Sequence, residues 1–266
     1  MRMRKKTAVI FAVLILSALA CACTAREEAG KAEPSETLVI GSDIYAPYFY
    51  ISDDGGFTGI DVETANEACR RMNIKPVFKK IDWQSKDEYL EKGEVDCLWG
   101  SFSMNGRESL YTWAGPYMKS RQAVVVQASS DIYSLKELNG RSIAVQNGSK
   151  PEELFLNGLV CGVTEPERIY SFSSLDTVFA ALKKGYADAC AGHEAALREL
   201  IGDSNGSYRV LKEPILNVRL GVAFYKGTHT ELADRLSEAL DGMRADGTLG
   251  KIAASYGLDP EAVIGE

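Results

Sequence analysis

From Leu38 onward the chain alternates between short continuous apolar runs and apolar stripes that recur every three or four residues. Leu38 to Gly41 and Pro76 to Ile81 read as strands, and the segment between them places Ala65, Ala68, Cys69 and Met72 on one helical face. That is a β-α-β unit. A second helix is predicted to start at Ser85, where Glu88 stands in position to complete a capping box, and to lead into an apolar strand from Val95 to Trp99. The pattern then resumes with strands over Ala123 to Val126, Ser142 to Gln146 and Arg168 to Phe172. A helix carrying Leu175, Val178, Phe179 and Leu182 separates these from a strand over Ala187 to Ala191. A last strand, Leu220 to Phe224, precedes helical stretches from Glu231 to Arg244 and from Leu249 to Tyr256. Strands that alternate with helices imply an α/β protein whose parallel sheets are covered on both faces. The pattern leaves open whether there is one sheet or two.

The first residues follow a different logic. Arg2, Arg4, Lys5 and Lys6 precede an apolar run from Ala8 to Ala20, which is the layout of a signal peptide. The run is shorter than the roughly 18 apolar residues of a spanning helix. Small residues then lead into Cys21 and Cys23, as in a bacterial lipobox, which predicts a signal peptide over 1–22 and a lipid (palmitate) anchor on one of the two cysteines. Ordinary cleavage after a small residue is the alternative. Residues 23–37 hold almost no apolar side chain large enough to bury and read as a flexible tether.

Composition narrows the partners. The formal net charge of −7 becomes more negative once the four basic residues at the start are removed, so nucleic acid is a poor partner. Cys69, Cys97, Cys161 and Cys190 lack the spacing of a metal site or redox pair. Cys97 and Cys190 lie in apolar runs and read as buried thiols, although an exported protein leaves room for one disulfide. His193 and His229 have no metal-ligand pattern around them, no cofactor is implied, and no G-x-S-x-G elbow is present. Asp61 and Glu63 are read as acidic residues opening a helix rather than as an acid/base pair. The chain is therefore expected not to be an enzyme.

Several segments in order resemble the family 3 extracellular solute-binding proteins of amino-acid ABC importers. Residues 39–48, the run Gly59-Ile60-Asp61-Val62-Glu63, the loop from Val95-Asp96 to Arg107, and Gly140 to Ser149 carry the resemblance. It implies a periplasmic-binding-protein-like type II clamshell, with two lobes that each hold a mainly parallel sheet flanked by helices. Lobe one would span 38–118 plus 221–266 and lobe two 123–216, with hinges near 119–122 and 217–220. The implied function is extracytoplasmic capture of a small amino acid and delivery to the membrane permease of an ABC importer, by a monomer tethered to the outer face of the cell membrane. A ligand-binding role in a sensory system, or a clamshell-derived enzyme such as a cyclodehydratase, is the alternative on the same fold.

The resemblance also implies a site. Arg107 offers a planar fork for the ligand carboxylate, and the backbone at Ser149, ahead of a helix with Pro151 at its start, faces the same group. Glu194, matched to a family aspartate, would hold the ammonium, while Ser101 and Ser103 complete the hydrogen bonding. Tyr45 and Trp83 would pack against the rest of the ligand. Asp43 disfavours an acidic side chain there and leans the expectation towards a polar or basic amino acid.

Overall fold

Why this pattern folds as it does is visible in the computed structural model, which describes residues 36–265. The predicted signal peptide, Cys21, Cys23 and almost all of the tether lie outside the described residues. Glu36 and Thr37, expected to belong to the tether, instead open strand β1 (Glu36–Ser42), because they find ladder partners in Ile74 and Lys75. After β1 comes a small hairpin of β2 (Tyr50–Ile51) and β3 (Phe57–Thr58), then helix α1 (Ile60–Met72) and strand β4 (Ile74–Lys80). Strand β4 lies parallel to β1 in unbroken register, and α1 buries Ala65, Ala68 and Cys69, the face predicted from spacing. Gly59 stands at the N-terminus of α1 with φ 122°, where an added Cβ would meet Tyr48 O at 2.3 Å, so only glycine makes this entry turn.

The next helix differs from expectation. A single 3₁₀ turn over Trp83–Ser85 comes first, capped by Asp82, whose Oδ1 accepts from Gln84 N at 3.2 Å. Helix α2 (Lys86–Glu91) follows with no side-chain cap from Ser85. Ser85 sits at φ −95°, ψ 13° rather than in the extended conformation of an N-cap, so the Ser85–Glu88 capping box does not form. Strand β5 is also shorter than the apolar run predicts, pairing only over Cys97–Leu98. Asp96 explains the shortening, since its carboxylate takes Val39 N at 2.7 Å where the ladder would otherwise continue.

Strand β6 (Thr112–Gln127) is much longer than the predicted Ala123–Val126. Strands β7 (Ser142–Gln146) and β8 (Arg168–Phe172) match prediction, with helix α3 (Lys150–Leu156) between them. Helix α4 (Leu175–Lys183) buries Leu175, Val178, Phe179 and Leu182. Strand β9 covers Ala189–His193, two residues later than expected, because Asp188 spends its carboxylate on Ser142 N (2.8 Å) and Ser142 Oγ (2.7 Å). Asp96 and Asp188 thus solve one problem twice, each holding the backbone of a neighbouring parallel strand. The remaining elements are α5 (Glu194–Ile201), β10 (Tyr208–Val210), β11 (Leu216–Phe224), α6 (Thr230–Ala245), α7 (Thr248–Ser255) and α8 (Pro260–Ile264).

The strands form one ladder in the order β4-β1-β5-β11-β6-β9-β7-β8, with β10 on β6. Its two ends, β4-β1-β5 and β9-β7-β8, are parallel, and the middle pairs β5-β11, β11-β6 and β6-β9 are antiparallel. Residues 119–122 and 217–220 are paired β6 and β11 backbone, not loops. Two connecting strands therefore carry the chain between two parallel halves. Cys69, Cys97 and Cys190 are buried free thiols and Cys161 is an exposed one. Among the described residues no helix is long and apolar enough to cross a membrane.

Candidate functional site

In open parallel sheets, ligands gather beyond the carboxyl ends of the strands. Here the ends of β1 and β5 on one side face the ends of β7 and β9 on the other, and a pocket forms between them. Asp43, Tyr45, Trp83, Ser101, Ser103, Arg107 and Ser149, which the sequence placed at a ligand, all line it. The cavity itself measures about 30 Å³, room for about one water, so a larger ligand gains access only by widening the gap between the halves.

The loop after β5 supplies most of the first wall. Gly100 has to be glycine, since a Cβ there would lie 2.1 Å from Ser42 Oγ. Ser101 adopts φ 47°, an uncommon conformation for a residue with a side chain, and its N donates to Asp61 Oδ2 at 2.6 Å. Tyr117 OH donates to the other Asp61 oxygen at 2.7 Å. Asp61 is thus a buried support beneath the loop as well as the start of α1, and burial pushes its pKa up to about 7. Phe102 O accepts from Gly221 N, and Met104 N donates to Arg219 O, which pins the loop to β11.

Arg107 ends this loop, 8% exposed, with its guanidinium 5.1 Å from the centroid of the Phe102 ring. Its Nη2 lies 2.7 Å from Glu153 Oε2, and the other Glu153 oxygen lies 2.5 Å from Lys150 Nζ. Burial of Glu153 opposes ionisation, yet Lys150 and Arg107 together hold its pKa below the usual carboxylate range. One carboxylate of α3 is thus shared by two cations of the pocket.

Asp43 follows β1 and receives a hydrogen bond at 2.6 Å from Gln146 Nε2 at the end of β7. Burial outweighs that bond and raises its pKa to about 6. His193 ends β9, where burial lowers its pKa to about 3 and keeps the ring neutral. Its Nδ1 lies 2.9 Å from Ser120 Oγ and its Nε2 3.0 Å from Gln122 Nε2, while its backbone N donates to Tyr45 OH at 3.2 Å. Gln122 Oε1 is buried with no protein partner. Trp83 faces the pocket while its ring packs edge-on against Phe102 at 5.1 Å. Ser149 Oγ caps α3 by accepting from Glu152 N at 3.3 Å.

Glu194 is not brought to this pocket. It is the first residue of α5, directly after the strand, so its side chain swings to the outer side of the connecting strands. There it lies 2.6 Å from Arg198 Nη2, one turn along, and 3.2 Å from Arg121 Nε on β6. It lines a separate cavity of about 630 Å³ together with Tyr48, Ser120 and the chain around Asp259. His193, one residue earlier, does line the pocket, as does Gln146. Gln122, Gln146, Lys150 and His193 were not expected at the site, and of these only Gln146 had a local signal, as the last residue of a predicted strand.

The profile of the bacterial extracellular solute-binding proteins, family 3, matches residues 38–259, more than half of the chain. The probable amino-acid-binding protein YxeM of Bacillus subtilis is 25% identical over 262 residues, covering 96% of both chains. The L-cystine-binding protein TcyJ of Escherichia coli is 25% identical, covering 85% of this chain and 84% of its own. Among solved structures, an ancestral arginine-binding protein bound to arginine superposes with a TM-score of 0.75 at 26% identity, over 84% of this chain and 99% of the other.

Proposed function

The chain belongs to the bacterial extracellular solute-binding proteins of family 3, and on that footing we propose that it captures a small amino acid in the Arg107 pocket and delivers it to the permease of an ABC importer. Its fold is the two-lobed type II clamshell, and it is a binding protein, not an enzyme, like the relatives it resembles. The observation that carries the ligand class is the pairing of opposite charges in one buried pocket. Arg107 presents a guanidinium edge to a carboxylate. Asp43, whose charged form burial makes costlier in the free pocket, is stabilised as a carboxylate beside an ammonium. The Ser149 backbone, Ser101 and Ser103 supply further polar contacts, and Tyr45 and Trp83 supply ring surface.

Capture follows from the strands. Lobe one, 38–118 plus 221–266, and lobe two, 123–216, would pivot where β6 and β11 run side by side at 119–122 and 217–220. The cross-pocket contacts Asp43–Gln146, Arg107–Glu153 and Tyr45–His193 then break and form together. The working form is a monomer held at the outer face of the membrane through a lipid on Cys21 or Cys23. Mass spectrometry of the membrane-extracted chain, with Cys21→Ala and Cys23→Ala compared, assigns that anchor.

A thermal-shift screen of the purified full chain against the common amino acids, followed by calorimetry, tests the central reading. A tight ligand raises the melting temperature by mass action. If no amino acid does so, the reading fails.

A further inference from the structure

Lys86 stands apart from the other charges of the site. It opens α2 at 6% exposure, behind the pocket lining, with Nζ 5.5 Å from the Trp83 ring centroid and 5.9 Å from that of Phe102, both lining rings. Its one hydrogen bond is a long one, 3.4 Å to Gly148 O across the gap between the halves. Gly148 lies so close that an added Cβ would come 3.0 Å from Nζ. Among the described residues no carboxylate comes within 4.0 Å of Lys86, whereas Arg107 and Lys150 both reach Glu153.

The acids nearest to Lys86 are otherwise engaged. Asp87 is exposed and accepts from Tyr111 OH, Glu152 accepts from Gly148 N, and Asp43 accepts from Gln146. Buried charges are ordinarily paired, and an unpaired one is costly to keep. Two aromatic faces offset part of that cost. Burial lowers the pKa of Lys86, and Asp87, Glu152 and Asp43 oppose the shift.

We propose that the missing partner of Lys86 is a second carboxylate on the ligand, so that the site selects amino acids with two acidic groups. The inference rests on the amino-acid reading above and turns its lean, since the acidity of Asp43 alone pointed to polar or basic side chains. One carboxylate pairs with Arg107, the ammonium with Asp43, and the second carboxylate with Lys86 over the Trp83 and Phe102 rings. Short diacids such as aspartate and glutamate, and the longer double amino acid cystine, share this chemistry.

Calorimetry on the full chain distinguishes these cases by comparing glutamate with glutamine, aspartate with asparagine, and cystine with cysteine. At least one diacid is expected to bind about tenfold or more tighter than its monoacid counterpart, as a charge-assisted bond in a buried site implies. The pair that shows the preference identifies the length of the ligand. Lys86→Gln should bring that ratio close to one and raise the melting temperature of the free chain, and Lys86→Arg should keep the ratio. If glutamine, arginine or another monoacid outbinds every diacid, the inference falls while the amino-acid reading stands. A diacid preference that survives Lys86→Gln in a folded chain also overturns the role of Lys86. If no amino acid binds, both readings fall.

Discussion

Two cavities flank the connecting strands, and they differ in the opposite sense from their sizes. The larger, about 630 Å³, is bordered by Arg121 and Arg198, whose charges are satisfied by Glu194 and by solvent. The smaller, about 30 Å³, is walled by Asp43, Arg107, Lys150 and His193, each less than a tenth exposed. In the large cavity the two arginines stay about half exposed, so their charges keep much of their hydration whether or not anything binds. In the small one, burial makes the charged forms of Asp43 and His193 costlier, keeping His193 neutral and raising the pKa of Asp43, and a ligand of matching charge would offset part of that desolvation. Burial of charge, more than volume, is therefore the ground for proposing the small cavity as the binding side.

The hardest test of that contrast is Arg107→Ala. Truncating one partner of a buried, hydrogen-bonded charge pair typically costs about 2–5 kcal/mol, so affinity should fall about 30-fold or more. The same change leaves Glu153 with Lys150 alone. Calorimetry that finds affinity within about threefold of the parent removes Arg107 from the headgroup and with it the main reason to prefer the small cavity.

Asp43 sharpens the contrast through pH. Its pKa of about 6 in the free pocket lies above the ordinary value of 3.8, so the folded free chain holds that proton longer than the unfolded chain does. Stability from this group is therefore greatest in acid and declines as pH rises from about 4 to 6. Asp61, raised to about 7, acts in the same direction, each group contributing a slope of up to about 1.4 kcal/mol per pH unit inside its window. Ligand binding runs the other way. An ammonium favours ionised Asp43, so affinity should weaken below pH 6 by up to about tenfold per unit, while His193, with its pKa near 3, stays silent there. Asp43→Asn should bind weakly and with a flat profile from pH 4.5 to 7. A profile in the variant as steep as in the parent would assign the titration elsewhere.

Trp83→Ala gives a smaller and more selective effect. Loss of the ring removes contact surface at the pocket edge and one face over Lys86, which should change the order of preferred ligands by a few-fold to about tenfold. An equal loss for every amino acid would place Trp83 with Phe102 and Leu98 as core alone.

Much of this was legible in the residues because local pattern decides it. Apolar runs located the strands of both parallel halves, and the order of short motifs collected seven residues that the fold does bring to one pocket. What escaped was set by distant contact. Lys86 looks like any solvated lysine at the head of a helix until Gly148, 62 positions away, closes over it. Gln146 becomes a site residue only because the end of β7 meets the end of β1. The segments expected to act as hinges gave no sign of being paired strands, since Lys119, Ser120 and Arg121 are polar, and only the partner strand β11 makes them sheet. Glu194 was misplaced for a complementary reason. A motif fixes a position along the chain, but the start of α5 one residue after His193 turns the side chain away.

That displacement yields the mildest prediction and the one that most directly opposes the two cavities. Glu194→Gln removes the charge that holds Arg121 and Arg198 together on the outer side of the connecting strands. Half-exposed pairs of this kind are worth about 1 kcal/mol or less, so melting temperature should drop by only a few degrees. Ligand affinity should change by less than about threefold, because no atom of Glu194 lines the small pocket. His193, one residue earlier, offers the control. His193→Ala opens the wall between the two cavities and removes the ring that Ser120 and Gln122 hold, so it should weaken binding more than Glu194→Gln. If the glutamate variant loses binding as Arg107→Ala does, the ammonium is read on the far side of the strands, and the electrostatic distinction between the cavities collapses.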